Sequence, residues 1–170
     1  AEQLLVAGNE TTTQALGEAA LQLALHPAQL DLAREDLGVR ANLIEELLRV
    51  TSPVLGLFRY ATDDHERHGT AIRKNDVVAA LYASANRDAE VFEDPDQLRA
   101  DRDNAKAHLA FGIGIHFCLG AHLARAEIRA FVDELIARGL RIDAAGTSGS
   151  DEGTFLIRGR RHQMLQILKD

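Results

Sequence analysis

A mainly helical fold with small β-elements is what the residue pattern predicts, and three observations carry it. Apolar residues recur at the helical period over residues 2–25 and again over 119–138. Short β-prone runs interrupt the middle of the chain and close it. Between them, residues 88–110 are rich in Asp, carry Pro95, Arg99 and Arg102, and show no period.

The first helix is expected over residues 2–25, with Leu4, Leu5, Leu16, Ala20, Leu23 and Ala24 on its apolar side. His26-Pro27 ends it, because the residue before a proline avoids the helical region. Pro27 can open a second helix, running to about Glu35. Ala41 to Val50 forms a third, with Leu43, Leu47 and Leu48 inward, and Ser52-Pro53 stops it. Val54–Ala61 and Val77–Ala80 are β-prone, and Ala83–Arg87 makes a helical turn. Residues 88–110 form a long ordered loop, a kind that is uncommon without a function. Leu119–Arg138 is an amphipathic helix with Leu123, Ile128, Phe131, Leu135 and Ile136 inward and Gly139 as its cap. Gly146–Gly153 is expected to be a flexible linker. Phe155–Ile157 and Met164–Leu168 then read as two strands around a turn at Gly159. No internal repeat is visible.

Composition narrows the function classes. The 170 residues, 46% of them apolar, suffice for one domain with a core. A formal charge of −7 argues against nucleic acid as a partner. One cysteine cannot close an internal disulfide, which makes a reducing cytoplasm the expected compartment. No apolar run is long enough to span a bilayer, so no membrane association is expected. No basic, apolar leader opens the chain. Ala1-Glu2-Gln3-Leu4 begins abruptly with helix formers, without Met or a cap, which reads as a helix entered partway along a longer protein.

The lone cysteine stands in an unusual setting: Phe111-Gly112-Ile113-Gly114-Ile115-His116-Phe117-Cys118-Leu119-Gly120. Glycines at 112, 114 and 120 let backbone fold closely around something a side chain would block. A sulfur just ahead of a helix start feels the positive end of the helix dipole, which favours the metal-binding thiolate. A thiolate can hold haem iron alone. Taken singly, a lone cysteine is more often a small buried hydrophobe.

This loop resembles the cysteine-ligand loop of the cytochromes P-450, the haem-thiolate monooxygenases, with Phe111, Gly114, Cys118 and Gly120 at the family's spacing. The resemblance extends over most of the chain but covers only the C-terminal half of a full enzyme. It implies one partial domain over residues 1–170, with the fold of that half. It also implies haem (heme b) bound to iron through the Cys118 thiolate, with Phe111, Gly112 and Gly120 around it.

Three further motifs join the resemblance. Ala7-Gly8-Asn9-Glu10-Thr11-Thr12 sets poor helix formers in mid-helix. It resembles the family's oxygen-binding groove. That implies Ala7 and Gly8 beside the flat cofactor, Thr11 as the hydroxyl that hydrogen-bonds oxygen, and Glu10 as the carboxylate passing protons inward. Read alone, it is equally a helix with a polar stripe. Glu46-Leu47-Leu48-Arg49 puts an acid and a base on one helix face, a common surface pair worth about 0.3–0.5 kcal/mol. By resemblance it is a pair buried behind the haem, with Arg102 closing the network. Arg59 and His116 match propionate-binding positions, and Arg suits a carboxylate through its planar fork; alone, each is an ordinary polar residue. Asn86-Arg87-Asp88 and Val91 to Asp96 resemble the family's meandering loop.

The implied activity inserts one atom of O2 into a small apolar organic substrate, with Val54, Leu55, Leu57 and Leu156 on the substrate side by analogy. Electrons would come from a separate ferredoxin or flavoprotein reductase, since a built-in iron–sulfur cluster would need several cysteines. Three rivals stand beside this reading. One is a truncated, inactive fragment that binds haem weakly or not at all. Another is a helical interaction module with a buried thiol. The third is a zinc site built from His116, Cys118 and His122 with His108; a single cysteine disfavours it.

Overall fold

The computed structural model describes residues 2–151 and 160–169. Helix α1 (Glu2–Leu25) is followed across His26 by α2 (Pro27–Glu35), with Pro27 in the first turn, as the sequence predicts. Helix α3 spans Leu37–Thr51 and so begins four residues earlier than the expected Ala41. The cause is a cap: one Asp36 carboxylate oxygen accepts from the amides of Gly38 and Val39, at 2.6 and 3.0 Å. At the other end Ser52 adopts φ 36°, and its N–H donates to Leu48 O.

The middle of the chain is two small antiparallel sheets. Strand β1 (Leu57–Tyr60) is shorter than the expected run from Val54, and pairs with β4 (Val77–Ala80), Leu57 opposite Ala80 and Tyr60 opposite Val77. Between them lies a hairpin that the period did not reveal, β2 (His65–Arg67) and β3 (Thr70–Ile72), turning at His68 and Gly69, both with positive φ. All but Ile72 of its strand residues are exposed, so no apolar alternation marks it. Helix α4 is the single turn Tyr82–Ala85. Residues 88–110 are indeed without long regular elements, holding only a 3-10 turn at Ala105–Ala107.

Helix α5 spans Ala121–Ala137, and Gly139 follows at φ 61°, the left-handed cap the sequence predicts. Its buried face is Ala121, Ile128, Val132 and Leu135; Leu123, expected inward, is 58% exposed. Strand β5 (Leu140–Asp151) runs through Gly146 and Gly149 of the expected linker, paired with β6 (Arg160–Lys169), while Gly153 lies outside the described residues. Register shifts between Asp143 and Ser148, and again before Ser150, absorb the mismatch. A Cβ on Gly146 would overlap the Gln166 side chain, so glycine is what lets the strands close there. The Phe155–Ile157 strand, the turn at Gly159 and Leu156 lie outside the described residues.

One core unites the helices. Ala15, Ala19, Ala20 and Leu23 of α1 meet Leu43, Ile44, Leu47 and Leu48 of α3 and Ile128, Val132 and Leu135 of α5. The small α1 side chains let the helices approach closely. Leu30 and Ala33 of α2 and Ile142 of β5 complete it. Among the described residues no helix is long and apolar enough to cross a membrane.

Candidate functional site: a cysteine loop facing a helix

The segment leading to Cys118 is a backbone fold that needs glycine. Gly112 and Gly114 sit at φ 69° and 73°. Residues Gly114–His116 make a 3-10 turn, closed by Phe117 N–H to Gly114 O at 3.0 Å. The Cys118 N–H then reaches back to Phe111 O at 2.9 Å, and Cys118 O accepts the first amide of α5, from Ala121, at 3.3 Å. The thiol is free and exposed.

Across from it runs α1, and a cavity of about 240 Å³ separates the two. Ala7, Gly8, Thr11 and Thr12 form one wall, Gly112, His116, Cys118 and Gly120 another. Phe111, Tyr82, Val54 and Leu57 also line it. A Cβ on Gly8 would meet nothing within 4 Å, so α1 is open to the cavity at that residue. The Thr11 hydroxyl donates to Ala7 O at 2.7 Å.

Residues distant in sequence are thus gathered on one cavity: Ala7, Gly8, Thr11, Phe111, Gly112, His116, Cys118 and Gly120. Glu10 and Arg59 are not part of its wall. Glu10 is exposed on α1. Arg59 donates to Phe58 O and, at 3.1 Å, to the hydroxyl of Tyr82, which does line the cavity. Leu55 stands outside the wall as well.

Two buried ionic networks lie behind the loop. In the first, Arg49 donates from Nε to Glu46 Oε2 at 2.7 Å and from Nη2 to Oε1 at 2.8 Å. Arg102 donates from Nε to the same Oε1 at 2.9 Å, so the expected third member is in place. Arg49 also donates to the carbonyls of Asn86, Pro95 and Gln97 and lies over the Phe92 ring. The aperiodic stretch is ordered because these arginines satisfy its carbonyls. Asn86, wholly buried, links Ser52 Oγ at the end of α3 to the amide of Leu109.

The second network carries no signal in local spacing. Arg125 of α5 grips Glu45 of α3 with Nε to Oε1 at 2.8 Å and Nη2 to Oε2 at 2.9 Å. His108 Nδ1 accepts the Ala110 amide at 3.1 Å, so its Nε2 carries the proton and donates to Glu45 Oε2 at 3.2 Å. Burial pushes the Glu45 carboxyl up, but the hydrogen bonds from His108 and Arg125, with the Arg125 charge, outweigh it and hold the group at about 2. The zinc reading loses His108, because both its ring nitrogens are engaged. His122 is exposed on α5. Among the described residues no group of three or more His, Cys, Asp or Glu could hold a metal ion.

Donor chemistry tests whether haem suits these residues. A bare metal ion needs several protein ligands, whereas a macrocycle with its own nitrogens needs one. Cys118 is a soft ligand in a wall otherwise mostly of Ala, Gly, Val, Leu and Phe carbon. The residues fit the group.

The fold and this site define a class of protein in which one cysteine loop faces a long helix. The chain belongs to the cytochrome P450 family, whose model, described as "Cytochrome P450", matches residues 1–138. It is 42% identical over 135 residues to a steroid C26-monooxygenase of Mycolicibacterium smegmatis, covering 79% of this chain and 33% of that protein. It is 44% identical over 143 residues to a pentalenic acid synthase of Streptomyces avermitilis, covering 83% and 35%. The structure of cytochrome P450-153 from Novosphingobium aromaticivorans superposes with a TM-score of 0.91 at 36% identity, over 98% of this chain and 42% of that one. The chain spans about a third of the length of these curated relatives.

Proposed function

We propose that this chain is the haem-holding C-terminal part of a monooxygenase, a single partial domain over residues 1–170, acting on a small apolar organic substrate. The observation that carries this is the position of Cys118, the only sulfur of a cysteine in the chain, across one cavity from Gly8 and Thr11. Haem held there by Cys118 would supply the activation of O2, with two electrons from a separate reductase and two protons needed for one atom to enter the substrate and the other to leave as water.

The protein's own residues then have distinct tasks. Cys118 gives the thiolate, and Gly8 leaves α1 open where a flat ring needs clearance. Phe111, Gly112, Gly120 and Ala7 shape the walls. His116 and Arg59 bind carboxylate groups at the rim, and Tyr82 already orients Arg59. Thr11, turned away from Ala7 O, offers a hydroxyl donor inside the cavity, and Glu10, in contact with solvent, supplies it with protons. Val54 and Leu57 present apolar surface to the substrate. The name of one relative, a steroid C26-monooxygenase, supports an apolar substrate. A ferredoxin or flavoprotein reductase supplies electrons, and the lone cysteine supports a reducing cytoplasm.

A second reading is favoured by a specific feature. Ile115 and Leu119 are each 97% exposed and Ile113 75%, all around the cysteine loop. Such a surface supports a chain that by itself holds haem weakly or not at all.

Absorption of the hemin-loaded, dithionite-reduced protein under carbon monoxide decides between them. A strongly red-shifted Soret band, lost in Cys118→Ala, is expected. An ordinary haem band in the unsubstituted protein, or none, overturns the assignment of Cys118.

A further inference from the structure

The geometry points to Arg125, fixed by Glu45 and His108, as a positioning residue for Cys118, acting through the ring and the carbonyl of Phe111. The proposal rests on the reading of Cys118 as the haem ligand, and adds a residue that does not touch the cavity.

The contacts form a chain. The Arg125 guanidinium lies over the Phe111 ring, 4.7 Å from its centroid. The His108 ring is tilted against the same ring at 5.8 Å, and the Phe117 ring meets it edge-on at 6.2 Å. Phe117 directly precedes Cys118, and Phe111 O is the acceptor of the Cys118 amide. Both the side chain and the carbonyl of Phe111 therefore bear on the cysteine. Arg125 cannot drift along the ring, because Glu45 holds it at two points on α3. Three segments, α3, the 108–111 stretch and α5, meet in this one stack.

The Glu46–Arg49–Arg102 network cannot do this. Its carbonyl contacts fall on residues 86–97, and it reaches the 108–111 stretch at the backbone, through Asn86 to the Leu109 amide and through the Arg102 carbonyl and the 105–107 turn, without touching Phe111. Lysine would not serve at position 125 either. It lacks both the two-point fork for Glu45 and the flat face for Phe111.

Amide hydrogen exchange on the full 170-residue chain, without hemin, tests the proposal. Arg125→Met and Arg125→Lys are expected to speed exchange of the Cys118 amide at least tenfold, about 1.4 kcal/mol in local opening, with α3 amides changing much less. Phe111→Tyr, which keeps the ring face, should exchange like the unsubstituted chain, and Phe111→Leu like Arg125→Met. The double variant Arg125→Met/Phe111→Leu should be no faster than either single one, because both cut the same path. Glu45→Gln, nearly identical in shape, carries the same expectation should Arg125→Met fail to fold. An unchanged Cys118 amide overturns the proposal. So does acceleration shared equally by α3 amides, the mark of general destabilisation, and so does multiplication of the two single effects. The carbon monoxide spectrum of the unsubstituted protein tests the ligand reading separately, and its failure leaves the exchange result standing.

Discussion

Glu46 and Arg49 are joined by two parallel hydrogen bonds, at 2.7 and 2.8 Å, with both side chains at 0% exposure. Burial turns a pair of little worth at a helix surface into one whose disruption is costly. Each charge has lost its water, and the other, with Arg102, the Arg99 amide and a set of carbonyls, replaces it.

Removing one partner should therefore be far worse than the sequence spacing suggests. Glu46→Gln leaves Arg49 and Arg102 buried without a counter-charge and is expected to cost about 3–5 kcal/mol in urea unfolding. The Glu134–Arg138 pair, four apart at the C-terminal end of α5, is mostly exposed, at 62% and 70%. Glu134→Gln should change stability by less than about 1 kcal/mol. Equal costs at the two positions would show that burial is not the deciding variable.

The Glu45 carboxyl gives a pH signature. It titrates at about 2 in the folded protein against 4.5 ordinarily. Between those values the unfolded chain takes up a proton that the folded chain refuses, so stability rises with pH through that window. The contribution, on the order of 3 kcal/mol, is complete above the ordinary value and is lost as pH falls towards 2. Glu45→Gln has no such proton. The stability gap between the unsubstituted protein and Glu45→Gln should shrink steadily as urea unfolding is repeated from pH 5 down to 2.5. A gap that stays constant would show that Glu45 keeps its ordinary affinity for protons.

How much of this was legible beforehand depended on whether the signal was local. Helices α1, α2 and α5 showed in apolar period, in Pro27 and in Gly139. The early start of α3 depended on the Asp36 cap, masked by the helix-poor Gly38. The hairpin of β2 and β3 is exposed almost throughout, so burial left no imprint on its residues. Strand β5 reads as a linker in the sequence because Gly146 serves close strand approach, which composition alone reads as flexibility. At the site, the cysteine loop and the α1 groove were visible as motifs, and Arg102 was found by resemblance. The Glu45–Arg125 pair was not, because its members are 80 residues apart and each alone is an ordinary helix-surface residue type. The neighbouring Glu46 and the His108 just before Phe111 were the only hints.

Two glycines should respond in opposite senses to one added methyl group. At Gly56 a Cβ would fall 2.5 Å from Ala80 O and 3.1 Å from Leu81 Cα, backbone atoms that cannot swing aside. Gly56→Ala must push β1 from β4, displacing Leu57 in the cavity wall. It should cost about 1–3 kcal/mol, as overpacking does. At Gly8 the same Cβ meets nothing within 4 Å. Inside a helix, Gly→Ala removes backbone freedom from the unfolded chain, so Gly8→Ala should stabilise the protein by about 0.5–1 kcal/mol. The new methyl would nonetheless enter the cavity that Gly8 and Cys118 share, so hemin affinity should fall while the urea midpoint rises. A rise in both would mean that the flat face of the ligand does not lie against Gly8, and the groove in α1 would then need another explanation.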